Sequence, residues 1–267
     1  MAFGGSVASV HYVYEMIIAH LTDIHVSGPQ SFDFDIDLCA NLDRTLRALP
    51  GVSPDLIVFT GDLFCTHSNI EYARSIFERM REICPSLLLV PGNHDQPSAI
   101  AEAAVGLTEA PPEWPQTVVV NGVRAVLLDT SGDRYGQENL EYVKKEARAA
   151  EDDNEPLLVF AHHPPTRMGG MPFLDLYFAP ADADDAEHVF RSLDARWNLF
   201  CGHYHLEAQR RVGNGVVNIT SAVAFTVHPR SETITVVGSD PCFRLIHVDP
   251  ESRAVSSDHV VVRPEHA

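Results

Sequence analysis

Seven side chains suited to holding metal ions fall in five short clusters: Asp23-Ile24-His25, Gly61-Asp62, Gly92-Asn93-His94-Asp95, His162-His163 and Gly202-His203-Tyr204-His205. The seven are Asp23, His25, Asp62, Asn93, His162, His203 and His205. Their donors are carboxylate, amide oxygen and imidazole nitrogen, with no thiolate. Such a set suits Mn, Fe, Zn, Co or Ni and argues against iron–sulfur or Cu(I) chemistry. Seven donors are too many for one tetrahedral zinc. They fit two ions that share one carboxylate and keep positions open for water and substrate. Two ions roughly 3.5–4 Å apart are a device for phosphoryl hydrolysis. The i, i+2 spacing of Asp23 with His25, and of His203 with His205, puts each pair on one face of an extended chain. Gly61, Gly92 and Gly202 each precede a candidate ligand, where the lack of a side chain lets the backbone turn and approach a bound group.

Each cluster follows an apolar run: 17–21, 56–59, 87–90, 157–161 and 199–201. Runs of this length suit strands buried on both faces. In an open α/β sheet, ligands bind outside the carboxyl ends of the strands, so neighbouring strands would bring all five clusters to one edge. Between the runs, spacing predicts helices near 36–49, closed by Pro50-Gly51, and near 138–150 and 184–194. Ser68 with Glu71 reads as a capping box that opens a further helix through about Ile83. Asn121-Gly122 predicts a hairpin joining Thr117–Val120 to Val123–Leu128. Gly213-Asn214-Gly215 predicts another, joining Glu207–Val212 to Val216–Thr220, and Phe243–Val248 and Val260–Val262 read as late strands. The expected fold is therefore α/β, with two packed mixed β-sheets flanked by helices. Residues 16–267 read as one domain. Met16 opens the first strongly apolar run, so residues 1–15 read as a dispensable leader.

Composition narrows the function classes. The chain has 267 residues, 45% of them hydrophobic, so a folded protein with a sizeable core is expected. Its formal charge of −18 argues against a partner held by a broad basic surface, such as duplex DNA or an anionic membrane. No stretch is long and apolar enough for a membrane span, and the first fifteen residues lack the positive start of a secretory signal. The five cysteines form no CxxC pair and read as buried free thiols. A cytoplasmic protein is expected. Of the 14 histidines, His25, His94, His162, His163, His203 and His205 fall in the clusters that follow the apolar runs.

Asp-x-His, Gly-Asp, Gly-Asn-His-Asp, His and Gly-His-x-His, in this order from Asp23 to His205, resemble the signature of the calcineurin-like metallophosphoesterase superfamily. The resemblance implies a four-layer α/β/β/α sandwich and two divalent or trivalent transition-metal ions, iron and manganese favoured. It implies that Asp23, His25, Asp62 and His205 hold one ion. Asp62, Asn93, His162 and His203 would hold the other, with Asp62 bridging. Asn93 and His94 would contact the phosphate, and His94 would act as the catalytic acid that protonates the leaving oxygen. Asp95 would stand behind the ligands, and His163 would support the site.

Within the superfamily, Leu63-Phe64-Cys65 after Gly61-Asp62 departs from the phosphoprotein phosphatases, and Cys65 replaces the Tyr ligand of purple acid phosphatases. His94 departs from the Arg of the lipid-A-pathway pyrophosphatases. Gly-Asp-Leu-Phe and Gly-Asn-His-Asp are shared with double-strand-break nucleases, which usually have a longer chain with DNA-binding additions. Asp23-Ile24-His25, His162-His163-Pro164-Pro165 and Thr226-Val227-His228 are similar to class III cyclic-nucleotide phosphodiesterases and related glycerophosphodiesterases. By that similarity His228 would touch substrate, and the loop Met168–Ala179 would line the pocket. The implied activity is hydrolysis of a small phosphodiester by attack of a metal-bound hydroxide. A nuclease or phosphomonoesterase is the alternative, with a non-catalytic scaffold behind both. No stable nucleic-acid partner is expected, and homo-oligomerisation is left open.

Overall fold

The structure, a computed structural model, describes residues 15–26, 35–65 and 68–264. The expected leader falls almost wholly outside them. One mixed sheet has the strand order β13-β12-β1-β2-β3: β13 (Val255–Val261), β12 (Cys242–Val248), β1 (Met16–Leu21), β2 (Leu56–Phe59) and β3 (Leu87–Leu89). Strands β1, β2 and β3 run parallel, while β12 pairs antiparallel with both β1 and β13. The second sheet has the order β4-β5-β6-β7-β9-β8: β4 (Gln116–Val120), β5 (Val123–Leu127), β6 (Leu157–Phe160), β7 (Trp197–Cys201), β9 (Gly215–Ile219) and β8 (Ala208–Val212). Its four inner strands are parallel and its two edge strands antiparallel.

The period-2 alternation of strands decides what each residue packs against. Ile18, Leu56, Val58, Leu158, Phe160, Phe200 and Ile246 face the space between the sheets and form its apolar layer. Their neighbours Ala19, Leu21, Ile57 and Phe59 face outward onto α1 (Leu38–Ala48), α2 (Ile70–Ile83) and α3 (Pro97–Ala104). On the other side, Leu157, Val159 and Leu199 pack with residues of α4 (Gly136–Asp152), α5 (Pro172–Tyr177) and α6 (Ala183–Arg191). These layers give the expected helix–sheet–sheet–helix order.

Local signals mostly landed within a residue or two. Asn121 and Gly122 have φ of 50° and 80°, as a two-residue primed turn requires. The second hairpin turns on Gly213-Asn214 alone, because Gly215 already pairs with Val212. The capping box is a correction: Asn69 caps α2, accepting from Tyr72 N at 2.9 Å, while the Ser68 hydroxyl accepts from Gln96 N. Cys39 is exposed, against the expectation of burial, and the other four cysteines are buried. Besides α3 and a short 3-10 turn over Leu49–Val52, two features had no counterpart in the spacing. One is α5, inside the Met168–Ala179 segment. The other is a small antiparallel arm of β10 (Thr226–Val227) and β11 (Val236–Gly238).

Candidate metal centre

The five clusters sit at the carboxyl ends of β1, β2, β3, β6 and β7, and backbone bonds lace their loops together. Asp23 N donates to Gly61 O and His25 N to Asp62 O, both at 2.9 Å. Gly202 N donates to His162 O at 3.0 Å, and Val223 N to Thr22 O at 3.1 Å. Thr22 follows β1 of the first sheet and Val223 lies beyond β9 of the second, so this last bond joins the two halves.

The ligand candidates are not extended as their spacing suggested. Asp23, His25, Asp62, His203 and His205 all have left-handed backbones, with φ between 52° and 68°. Non-glycine residues pay for this conformation, and it concentrates at functional sites. Here it curls each loop so that alternate side chains converge. Close backbone approach explains the glycines. A Cβ at Gly202 would lie 2.0 Å from Thr22 Oγ1 and 2.2 Å from Asp23 Oδ2, and one at Gly92 would lie 2.2 Å from Asp62 Oδ1.

The convergence is tight. His25 Nε2 lies 3.0 Å from His205 Nε2, 3.5 Å from Asp62 Oδ2 and 3.8 Å from Asp23 Oδ1. His205 Nε2 is 3.3 Å from Asp23 Oδ1. His162 Nε2 is 3.3 Å from Asp62 Oδ2 and 3.9 Å from Asp23 Oδ1. The His162 and His203 rings are 5.1 Å apart. Asn93 Oδ1 is buried with no hydrogen-bond partner. Asp23, His25, Asp62 and His162 are essentially inaccessible to solvent. Two carboxylates, an unsatisfied amide oxygen and imidazole nitrogens aimed at one another match the donor chemistry of a pair of transition-metal ions.

The electrostatics fit the same picture. Burial favours the neutral acid at Asp23, yet His205 and His162 hold its carboxyl far below the usual range. Burial likewise opposes the charge on Asp62, but His162 and His25 hold it well down. His162 moves the other way. Burial lowers it, Asp62 and Asp23 outweigh that, and it rises to about 9. Burial takes His25 down to about 3 and His203 well below its ordinary value.

Supporting contacts fix the ligands. His162 Nδ1 donates to Thr60 O at 2.7 Å, leaving Nε2 toward Asp62. The Asp95 carboxylate accepts from the backbone N–H groups of Asp62, Leu63 and Gly92 at 2.8 to 3.0 Å, clamping two ligand loops together. His163 bonds Thr130 Oγ1 at 3.0 Å and faces Asp133 at 3.3 Å. His94 donates from Nδ1 to Cys65 O at 2.7 Å, and its ring stands 5.2 Å from that of His25.

Above this cluster opens a cavity of about 210 Å³. His25, Asp62, Asn93, His94, His203 and His205 form its polar side. Leu174, Phe178, Tyr204, Phe225, Val227 and Ile234 form an apolar wall. Leu174 on α5 and neighbouring Phe178 bring in the expected Met168–Ala179 segment. Phe225, Val227 and Ile234 come from the arm and its approach. His228 sits on the same arm, but its side chain is exposed and absent from the described lining; its Nδ1 accepts from Arg230 N. The sequence pointed to the Leu174 and Phe178 part of the wall but not to Tyr204, Phe225, Val227 and Ile234, although Phe225-Thr226-Val227 beside His228 and Tyr204 between two ligand candidates marked their place.

Comparison with known proteins agrees with this geometry. Residues 16–207 match the family described as calcineurin-like phosphoesterase. A probable cyclic nucleotide phosphodiesterase of Fibrobacter succinogenes is 24% identical over 231 residues, 86% of this chain and 88% of that protein. A cAMP/cGMP dual specificity phosphodiesterase of Mycobacterium tuberculosis is 27% identical, covering 92% of this chain and 80% of its own. A glycerophosphodiester phosphodiesterase of Enterobacter lignolyticus is 28% identical over 71% of each chain. Among solved structures, a dimetal phosphatase from Danio rerio superposes with a TM-score of 0.62 at 12% identity, covering 93% of this chain and 99% of that one.

Proposed function

The chain belongs to the calcineurin-like phosphoesterase family, and on that premise we propose that it is a dinuclear metal-dependent phosphodiesterase acting on small phosphodiesters of the cyclic-nucleotide or glycerophosphodiester type. One observation carries the reading: loops from both sheets bring two buried carboxylates and the imidazoles of His25, His162 and His205 to within 3.0–3.9 Å on the floor of a pocket. In this reading Asp23, His25, Asp62 and His205 hold one ion. Asp62, Asn93, His162 and His203 hold the other, and Asp62 is shared. Manganese, iron, zinc, cobalt or nickel suits these donors, with iron and manganese favoured. When bound, such a pair lowers the pKa of a shared water and neutralises charge on the attacked phosphate.

The chain's own groups do the rest. His94 keeps Nδ1 on the Cys65 carbonyl, which orients the ring and leaves Nε2 to protonate the leaving oxygen. Asn93 and His94 bind the phosphate. Asp95 holds the Asp62 and Gly92 loops in register. Tyr204, Phe225 and Val227 exclude water from one side of the ester. The relatives named above support the diester class. Among the described residues no helix is long and apolar enough to cross a membrane, and the scattered cysteines support a reducing, cytoplasmic setting.

The test is a panel of bis-aryl and mono-aryl phosphates, cyclic nucleotides, glycerophosphodiesters and single-stranded DNA, assayed with Mn²⁺ in wild type and Asp62→Ala. Diester hydrolysis lost in Asp62→Ala is expected. Faster turnover of the monoester or the DNA would move the assignment to a phosphomonoesterase or nuclease. Failure to bind any transition metal would favour a scaffold.

A further inference from the structure

The layer between the sheets is apolar along most of its depth and polar where it meets the candidate metal centre. His20 on β1 lies there, fully buried, on the same inward face as Ile18. Its Nδ1 is 2.7 Å from Thr220 Oγ1 and its Nε2 is 2.8 Å from Thr60 Oγ1. Phe160 and Phe200 of the opposite sheet flank the ring edge-on, with centroids at 5.8 and 6.2 Å. Arg244 on β12, also fully buried, donates from Nε to Thr220 Oγ1 at 3.1 Å, from Nη2 to Ile219 O at 2.9 Å and from Nη1 to Ser257 Oγ at 2.9 Å.

Arg244 donates to the Thr220 hydroxyl, which pairs with His20 Nδ1, while His20 Nε2 pairs with the Thr60 hydroxyl; a neutral ring serves both links, one as donor and one as acceptor. Burial first, and the Arg244 charge second, bring the His20 pKa down to about 3, which keeps the ring neutral.

The two threonines are what make the link consequential. Thr60 follows β2, immediately before Gly61-Asp62, and its carbonyl is the acceptor that orients His162. Thr220 follows β9 and donates from its backbone N to Cys201 O at 2.7 Å, one residue before Gly202-His203. One imidazole thus grips the root of a ligand loop on each sheet. We propose that His20 is a positioning residue, which sets the distance between the Asp62/His162 side and the His203/His205 side of the centre through Thr60 and Thr220. The proposal rests on the dinuclear reading above. Groups that orient metal ligands from behind typically change affinity or activity 10–100-fold when removed.

Mn²⁺ titration of metal-stripped protein by calorimetry tests it, alongside kcat and KM on a bis-aryl phosphate. His20→Phe keeps a ring between Phe160 and Phe200 but loses both hydrogen bonds. Thr60→Val keeps shape and carbonyl but loses the hydroxyl. Met80→Ala, a cavity near the far end of α2, is the control for general destabilisation. The expected result is a roughly 10–100-fold weaker second Mn²⁺ site in His20→Phe and a smaller loss in Thr60→Val. In both, kcat falls while KM holds, and Met80→Ala keeps wild-type affinity. Wild-type Mn²⁺ affinity in folded His20→Phe and Thr60→Val overturns the role of His20, as does an equal loss in Met80→Ala. A wild type that binds no Mn²⁺ overturns the dinuclear reading instead, and this proposal with it.

Discussion

Replacing Gly202 by Ala adds one methyl group at the most crowded backbone position in the centre. Its Cβ would meet Thr22 Oγ1 at 2.0 Å and Asp23 Oδ2 at 2.2 Å, and both side chains are completely buried. Ordinary contact begins near 3.4 Å, so in a close-packed interior the carboxylate must yield by about 1.2 Å. Neither group can swing away cheaply. Asp23 Oδ2 accepts from the Thr22 hydroxyl at 2.8 Å and from His203 N at 2.9 Å, and Asp23 Oδ1 stands 3.3 Å from His205 Nε2. Overpacking of this kind costs ~1–3 kcal/mol, a loss of roughly 3–10 °C in Tm for a chain of this size. A ligand displaced by about 1 Å loses activity on the order of 100-fold. The assay pairs thermal unfolding with Mn²⁺ calorimetry and diesterase rates. Gly51→Ala is the control, because a Cβ there meets nothing within 4 Å; it should stay within about 0.5 kcal/mol of wild type. A folded Gly202→Ala protein with wild-type Mn²⁺ affinity and turnover would refute the claim that glycine is needed for close approach to Asp23.

Three further expectations concern other parts of the molecule. His94→Ala should lower kcat roughly 100–10,000-fold with metal content retained by elemental analysis, since this ring is assigned to the leaving group and not to an ion. Asn41 of α1 donates to Ala224 O at 2.7 Å and Ser239 O at 2.9 Å, tying both ends of the β10–β11 arm. Asn41→Leu leaves those carbonyls unpaired at a cost of ~1–3 kcal/mol, and KM should rise several-fold with little change in kcat as the pocket wall loosens. His20 supplies a pH dependence. With its folded pKa lowered from 6.5 to about 3, the unfolded chain binds more protons between those values, so stability falls as pH drops through that window. At pH 5 the loss is about 2 kcal/mol, and urea unfolding at pH 7, 6 and 5 should show a shallower decline in His20→Gln than in wild type.

How much of this was legible in the sequence depends on the range of the interaction. Strand runs, the Asn121-Gly122 turn and the ordered ligand clusters are local patterns, and each maps onto a strand, a turn or a strand end. The conformation of the ligand loops was not legible. Left-handed φ at Asp23, His25, Asp62, His203 and His205 is imposed by bonds such as Asp23 N to Gly61 O, between segments far apart in the chain. The Ser68 capping box failed for a similar reason: Asn69 competes one residue later, and Ser68 is engaged by Gln96 across the loop. His20 was not among the candidate histidines. Its partners, Thr60 and Thr220, lie 40 and 200 residues away. The Met168–Ala179 segment was expected at the pocket, but its helix α5, one and a half turns long, and the two-residue β10 that brings in the rest of the wall are too short for any periodicity to register.

The wall also bears on how a chain of charge −18 accepts an anionic ester. Among the described lining residues there is no Lys or Arg, and Asp62 is itself negative. On the proposed dinuclear reading, attraction for phosphate comes from ions held on the floor, whose field is short-ranged and local. A long polyanion would leave most of its phosphates against a negative surface. On that reading a small diester would place one phosphate at the ions and its organic group against Phe178, Phe225 and Val227. Removing the metals should then abolish substrate binding and not merely turnover. Equilibrium dialysis of a slowly hydrolysed phosphorothioate diester against metal-stripped and Mn²⁺-loaded protein separates the two cases. Retained affinity in the stripped protein would show that the wall, rather than the ions, supplies most of the binding.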